Sequence, residues 1–242
     1  MADARVALVV GAGDYIGAAI AKRFAAGGLT VAVGRRKADK LAPLVAEIEA
    51  AGGRARAFAL DARDEANVES VFKSIESELG PLEVVVFNPG ANVQFGVTET
   101  TSRVFRKVWE MACFGGFLVG REAARHMVPR GQGTILFTGA TASVRGSAQF
   151  AAFAAAKGGL RQVAQSMARE LGPQGIHVAS VIIDGMIDSQ RVRERFPERV
   201  AQLPEDGMLK PADIAEIYFQ IHRQPRSAWT FEADLRPYAE KF

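Results

Sequence analysis

The chain has 242 residues, 48% of them hydrophobic and 24% charged, with a net charge of +3 at pH 7. That balance belongs to a folded globular protein and excludes disorder and collagen-like or low-complexity character. The charge is too mild to argue for nucleic acid or an anionic membrane, no apolar run reaches the roughly 18 residues a membrane span needs, and a single cysteine, Cys113, excludes an internal disulfide.

In chain order, short β-branched runs alternate with longer amphipathic stretches. Val6 to Val10 reads as a strand and not as a secretion signal, because the run is short, follows Asp3 and leads into a glycine turn. A cytoplasmic location is the default expectation. Ile16 to Ala26 reads as a helix stopped by Gly27-Gly28, and Leu29 to Val33 as a second strand. Asp39 to Ala51 is a second helix, Arg54 to Leu60 a third strand, and Glu65 to Leu79 a third helix. Val84 to Phe87 is a nearly continuous apolar strand, as expected when helices cover both faces.

Two helices follow, Ser102 to Met111 and Gly116 to Met127, then a fifth strand at Thr134 to Thr138. Phe150 to Leu171 is a long helix and Ile176 to Ile183 a sixth strand. Residues 186–208 are polar, basic and irregular; Pro211 to His222 is a helix; Ala228 to Leu235 is a seventh strand. The alternation predicts an α/β fold: one doubly wound (Rossmann) domain over residues 1–242, with a seven-stranded parallel sheet. The 186–208 segment follows a strand's C-terminal end, where such sheets bind ligands, and reads as a lid-like insertion.

Between the first strand and first helix stands Gly11-Ala12-Gly13-Asp14-Tyr15-Ile16-Gly17. Glycines there let the backbone turn tightly and approach a pyrophosphate, and the helix start offers free N–H groups. A strand–helix turn that binds nothing has the same outline. At the end of the second strand, an NAD site would carry an acid for the ribose hydroxyl. This chain has Gly34-Arg35-Arg36-Lys37, which suits the 2′-phosphate of NADP or, alternatively, a solvated basic turn. NADP is the expected cofactor, with Arg35 and Arg36 as contacts.

These features resemble the classical short-chain dehydrogenase/reductase family over essentially the whole chain. The family's first-turn glycines fall on Gly11, Tyr15 and Gly17, with Tyr15 replacing the middle one and Gly13 added. The resemblance assigns Asp61 to adenine, Asn88 and Gly90 to the turn after strand four, and Gly185 and Ser189 to the turn after strand six, with Ile16 beside the first turn. It places the family's catalytic tyrosine at Phe153, its serine at Ala140 and its asparagine at Ala112. Only Lys157, four residues after Phe153 on one helix face, remains of the four.

The resemblance therefore implies an NADP-dependent oxidoreductase with a non-standard active site, moving hydride to or from a small organic substrate. An alternative is a catalytically silent NADP-binding scaffold or sensor. Thr138, Thr141, Ser143 and Asp184 are candidate substitutes for the lost hydroxyl, Asp184 being equally a turn cap. Arg191, Arg193, Arg195 and Arg199 suit an anionic substrate or a solvated helix face. No His and acid pair has ligand spacing, so no metal is expected. The family's habit predicts a homodimer or homotetramer that pairs the helices at 116–127 and 150–171.

Overall fold

The structure is a computed structural model that describes residues 5–240; the start of the Met1 to Val10 run, Asp3 included, lies outside them. Its elements are β1 (Val6–Val10), α1 (Ile16–Ala26), β2 (Thr30–Arg35), α2 (Ala42–Ala50), β3 (Arg54–Ala59), α3 (Glu65–Glu78), β4 (Leu82–Phe87), α4 (Ser102–Trp109), α5 (Gly115–Met127), β5 (Gly133–Thr138), α6 (Ala151–Leu171), β6 (Ile176–Ile183), α7 (Gln190–Arg195), α8 (Pro197–Ala201), α9 (Pro211–His222) and β7 (Glu232–Leu235). All seven strands pair in parallel in the order β3-β2-β1-β4-β5-β6-β7. The order reverses between β1 and β4, which opens a crevice at the carboxyl ends of those two strands.

Strand alternation divides the core. Val6, Leu8 and Val10 face one layer, packed with Val68, Phe72 and Ile75 of α3, Val119 and Ala123 of α5, and Leu160 of α6. Ala7 and Val9 face the other layer, with Ile20 and Phe24 of α1, Ile48 of α2, and Ile214 and Tyr218 of α9. Both faces are apolar because both are covered, which is why the central strands lack a polar side. Two-sided coverage also leaves the strand ends as the place where a ligand reaches the sheet.

Several expected boundaries move. β2 runs two residues further, through Gly34 and Arg35, because Phe58 and Ala59 of β3 continue to pair with them. A 3-10 turn at Ala38–Leu41 precedes α2, with Pro43 in the helix's first turn. β7 begins at Glu232 and not at Ala228. The expected break between the helices at 102–111 and 116–127 is absent: a π-helical turn, Glu110–Phe114, joins α4 directly to α5. Gly116 is a packing glycine inside this continuous helical run. A Cβ on Gly116 would overlap Leu160 Cδ1 and lie 3.2 Å from Phe87 Cε1, so the missing side chain lets α5 press onto α6 and β4.

Residues 186–208 are not irregular throughout. They form α7 and α8 and close on themselves through a parallel bridge between Ile187 and Leu209. Leu209 N–H donates to Met186 O and Asp188 N–H to Leu209 O, both at 2.8 Å. This excursion stands over the carboxyl end of β6.

Candidate active site

The glycine turn is built by three close approaches. Gly11 takes φ +77°, a left-handed conformation that favours glycine. The N–H groups of Gly11 and Ala12 both donate to Gly34 O, at 2.8 and 3.3 Å, which anchors the turn to β2. A Cβ on Gly17 would overlap the Gly11 carbonyl oxygen and lie 2.8 Å from Ala12 Cα; a Cβ on Gly13 would meet nothing. Gly11 and Gly17 are therefore required by the backbone, while Gly13 is not. No side chain caps α1; the Ala18 N–H donates to Gly13 O at 2.9 Å, which leaves the N–H groups of Ile16 and Gly17 to face an anion. Tyr15 reaches across the cleft: its hydroxyl accepts from the Arg191 N–H at 3.3 Å.

The cleft has two halves. One, about 900 Å³, lies over β2 and β3 and is lined by Arg35, Arg36, Lys37, Lys40 and Arg63 together with Asp61. Arg35 stands 3.9 Å from the exposed Asp14 carboxylate. Arg63 forks onto Asp61, Nε to Oδ1 at 2.9 Å and Nη2 to Oδ2 at 2.6 Å. That guanidinium holds the Asp61 carboxyl below the usual carboxylate range. The Asp61 side chain is thus already engaged by Arg63, a partner that sequence reading missed; the only hint was a cation two residues after the acid.

The other half, about 740 Å³, lies over β5 and β6, and its lining includes Gly13, Ile16, Asn88, Gly90, Ala140, Thr141, Phe150, Phe153, Lys157, Gly185 and Ser189. Lys157 is buried. Its Nζ donates to Thr138 O at 2.7 Å and to Pro89 O at 3.1 Å, and burial without a carboxylate partner pushes its pKa down to about 8. Gly90 leaves room for it: a Cβ there would lie 3.3 Å from Lys157 Cε. Phe153 sits one turn before Lys157 on α6, so the two positions share a face as the spacing requires. Ala112 is fully buried in the π-helical turn and packs among Val108, Ala152 and Ala156, apart from the residues that line the cleft.

The other candidates are occupied. Asp184 accepts from the Thr141 hydroxyl and pairs with Arg236 Nη2 at 3.3 Å, so both carboxylate oxygens are held by side chains. Ser143 Oγ accepts from Ala140 N–H at 3.0 Å. Ser189 caps α7, accepting from Val192 N–H at 3.3 Å. Thr138 belongs to a relay that no local motif signals. The Tyr218 hydroxyl lies 2.7 Å from Thr138 Oγ1, Thr138 Oγ1 donates to Asn88 Oδ1 at 3.0 Å, and Asn88 Nδ2 donates to Gly11 O at 3.1 Å. Thr138 has one proton and gives it to Asn88, so Tyr218 is the donor to Thr138. The relay ties α9 through β5 and β4 to the glycine turn. Thr138→Val, nearly isosteric, leaves the Tyr218 hydroxyl and Asn88 Oδ1 each without its Thr138 partner. It is expected to cost about 2 kcal/mol, read as a lower urea midpoint at unchanged slope.

A glycine turn at the end of β1, a crevice at the reversal of strand order and a buried lysine on the long helix define a doubly wound Rossmann-type protein. The short chain dehydrogenase family model matches residues 5–200, and the chain belongs to that family. A crystal structure of a short-chain dehydrogenase from Rhodopseudomonas palustris is 56% identical, with a TM-score of 0.84 over 97% of this chain and 99% of that one. A 2-dehydro-3-deoxy-D-gluconate 5-dehydrogenase of Formosa agariphila is 30% identical over 96% of this chain and 82% of its own length. The structure of an actinorhodin polyketide ketoreductase with NADPH is 25% identical, with a TM-score of 0.89 over 97% of this chain and 96% of that one.

Proposed function

We propose that the protein is an NADP-dependent oxidoreductase that moves hydride to or from a small organic substrate without a tyrosine acid. The observation that carries this reading is the row of cations at the end of β2, Arg35 to Lys37 with Lys40 and Arg63, facing the half of the cleft beside the glycine turn. The residues fit the dinucleotide. Gly11 and Gly17 form a cradle that a Cβ would fill, and the guanidinium groups match a 2′-phosphate.

When bound, the cofactor supplies hydride at nicotinamide C4. Gly11, Gly17 and the start of α1 hold its pyrophosphate; Arg35 and Arg36 hold the 2′-phosphate; Lys157 holds the nicotinamide ribose. Asn88, fixed by Thr138, keeps the turn in register. Phe153 and Ala140 bring no proton donor to the reacting atom, so the substrate is one that takes hydride without an enzyme acid: an iminium, a quinone-like acceptor or a polarised alkene. Orientation beside the nicotinamide supplies the larger part of the rate, and the lost acid the smaller.

Calorimetric titration with NADPH and NADH in parallel tests the cofactor. NADPH is expected to bind more tightly. Arg35→Ala should weaken NADPH by about 10- to 100-fold, the range for a charge-assisted hydrogen bond, and leave NADH unchanged. Equal binding of both dinucleotides by the wild type would reject the NADP reading. A second reading, a silent NADP-binding scaffold or sensor, is favoured by Phe153, Ala140 and Ala112, none of which brings a polar side chain to the three positions that the resemblance assigns to chemistry. Stereospecific transfer from C4-deuterated NADPH to an acceptor excludes it. Exposed Phe105, Trp109 and Phe117 on the α4–α5 face support a homodimer or homotetramer. Among the described residues no helix is long and apolar enough to cross a membrane.

A further inference from the structure

The short helix α7 sorts its charges by direction. Arg193, on one side, forks onto Asp188 at 2.7 and 2.9 Å, and Gln190 Nε2 donates to Glu194 at 2.7 Å. Arg191 and Arg195, four residues apart on the other side, line the cleft over β5 and β6. Neither has a carboxylate partner among the described residues. Asp14 is the one carboxylate among the residues lining that half, and it faces Arg35. The apolar part of that lining is Phe150, Phe153, Ile187, Val192 and Phe196, with the Arg195 guanidinium 5.2 Å from the Phe196 ring centre.

The two arginines differ in reach. Arg191 lines both halves of the cleft and stands where a dinucleotide phosphate would pass, whereas Arg195 lines only the half over β5 and β6. A cation without a counter-ion over an aromatic wall selects a ligand with an anionic end and an apolar body. We propose that Arg195, backed by Arg191, anchors a substrate carboxylate, so that the site takes an apolar organic acid in preference to its neutral analogue. This rests on the reading of the cleft as a redox site for that substrate class, but the anchoring is a binding property and is measured without turnover.

The test is calorimetry on the whole protein with 4-phenylbutyrate and its neutral analogue 4-phenylbutanamide, each with and without saturating NADP⁺. The acid is expected to bind at least tenfold more tightly than the amide. Arg195→Gln should erase that preference and leave the NADPH dissociation constant within twofold of wild type. Arg193→Gln, on the Asp188 side, should retain it. The acid's advantage should shrink as salt rises, because α7 is exposed. Equal binding of acid and amide, no binding of either, or a preference that survives Arg195→Gln would overturn the proposal. A loss of affinity for NADPH as large as that for the acid in Arg195→Gln would also overturn it, by moving Arg195 to the cofactor. Failure of wild type to bind NADPH, with the acid preference intact, would reject the redox reading alone.

Discussion

Gly17→Ala is expected to abolish cofactor binding and to destabilise the protein. The added methyl group has nowhere to go: it overlaps the Gly11 carbonyl oxygen and presses on Ala12 Cα, both backbone atoms of the same turn. Relief requires moving α1 away from β1, and that helix packs Ile20 and Phe24 into one whole layer of the core. Forced overpacking of this kind costs about 1–3 kcal/mol. The Gly11 carbonyl also accepts from Asn88 Nδ2, so displacing it strains the Tyr218–Thr138–Asn88 relay. Calorimetry with NADPH should show no heat of binding, and the thermal midpoint should fall by several degrees. Gly13→Ala, where a Cβ meets nothing, is the control and should keep its thermal midpoint.

The second large effect is a pH dependence. Lys157 has a pKa of about 8 in the folded protein against an ordinary 10.5, because burial penalises the ammonium. Below pH 8 both folded and unfolded chains carry the proton, and the full desolvation cost is present. Between pH 8 and 10.5 the unfolded chain holds a proton that the folded chain has released, so this group's contribution to stability rises with pH. The slope approaches about 1.4 kcal/mol per pH unit, and the whole window is worth about 3 kcal/mol. Burial pushes the Cys113 thiol and the Tyr218 hydroxyl up, and those groups act in the opposite direction at high pH. Comparison with Lys157→Met isolates the lysine. Urea unfolding of the ligand-free proteins at pH 7.5, 9 and 10 should show wild type gaining on the variant as pH rises. A constant difference across that range would mean that Lys157 is not desolvated as the structure places it.

Much of the scaffold was legible because one physical rule governed it. A strand buried on both faces is largely apolar: Val6–Val10 is so throughout, and Ile176–Ile183 is so except for His177 and Ser180. The glycine turn was legible because Gly11 and Gly17 are there for backbone reasons that leave no choice of residue. Gly116 is likewise there for close approach, a role that helical spacing alone does not reveal. Glycine signals close approach as well as helix termination, and only the partners, Leu160 and Phe87, distinguish the two.

The charges were the least legible part. Asp61 meets an arginine across a two-residue turn, and Asp184 meets Arg236, 52 positions away, across the β6–β7 pair. The relay is equally hidden, since Tyr218, Thr138 and Asn88 come from three elements widely separated in sequence. The arginines of 191–199 could be assigned a direction only once Asp188 was seen to claim Arg193.

The bridge between Ile187 and Leu209 makes the segment between them an interchangeable cassette. The chain leaves β6 and passes through one fixed point before entering α9, and the span between is tied back through that bridge and the Tyr15 hydroxyl. The entropy of closing such a loop grows only slowly with its length. Residues 190–207 can therefore be lengthened, shortened or exchanged with those of a relative while β6, α9 and the glycine turn keep their register. On the proposed reading, the residues that select the substrate and those that carry the fold then lie in separate stretches of the chain.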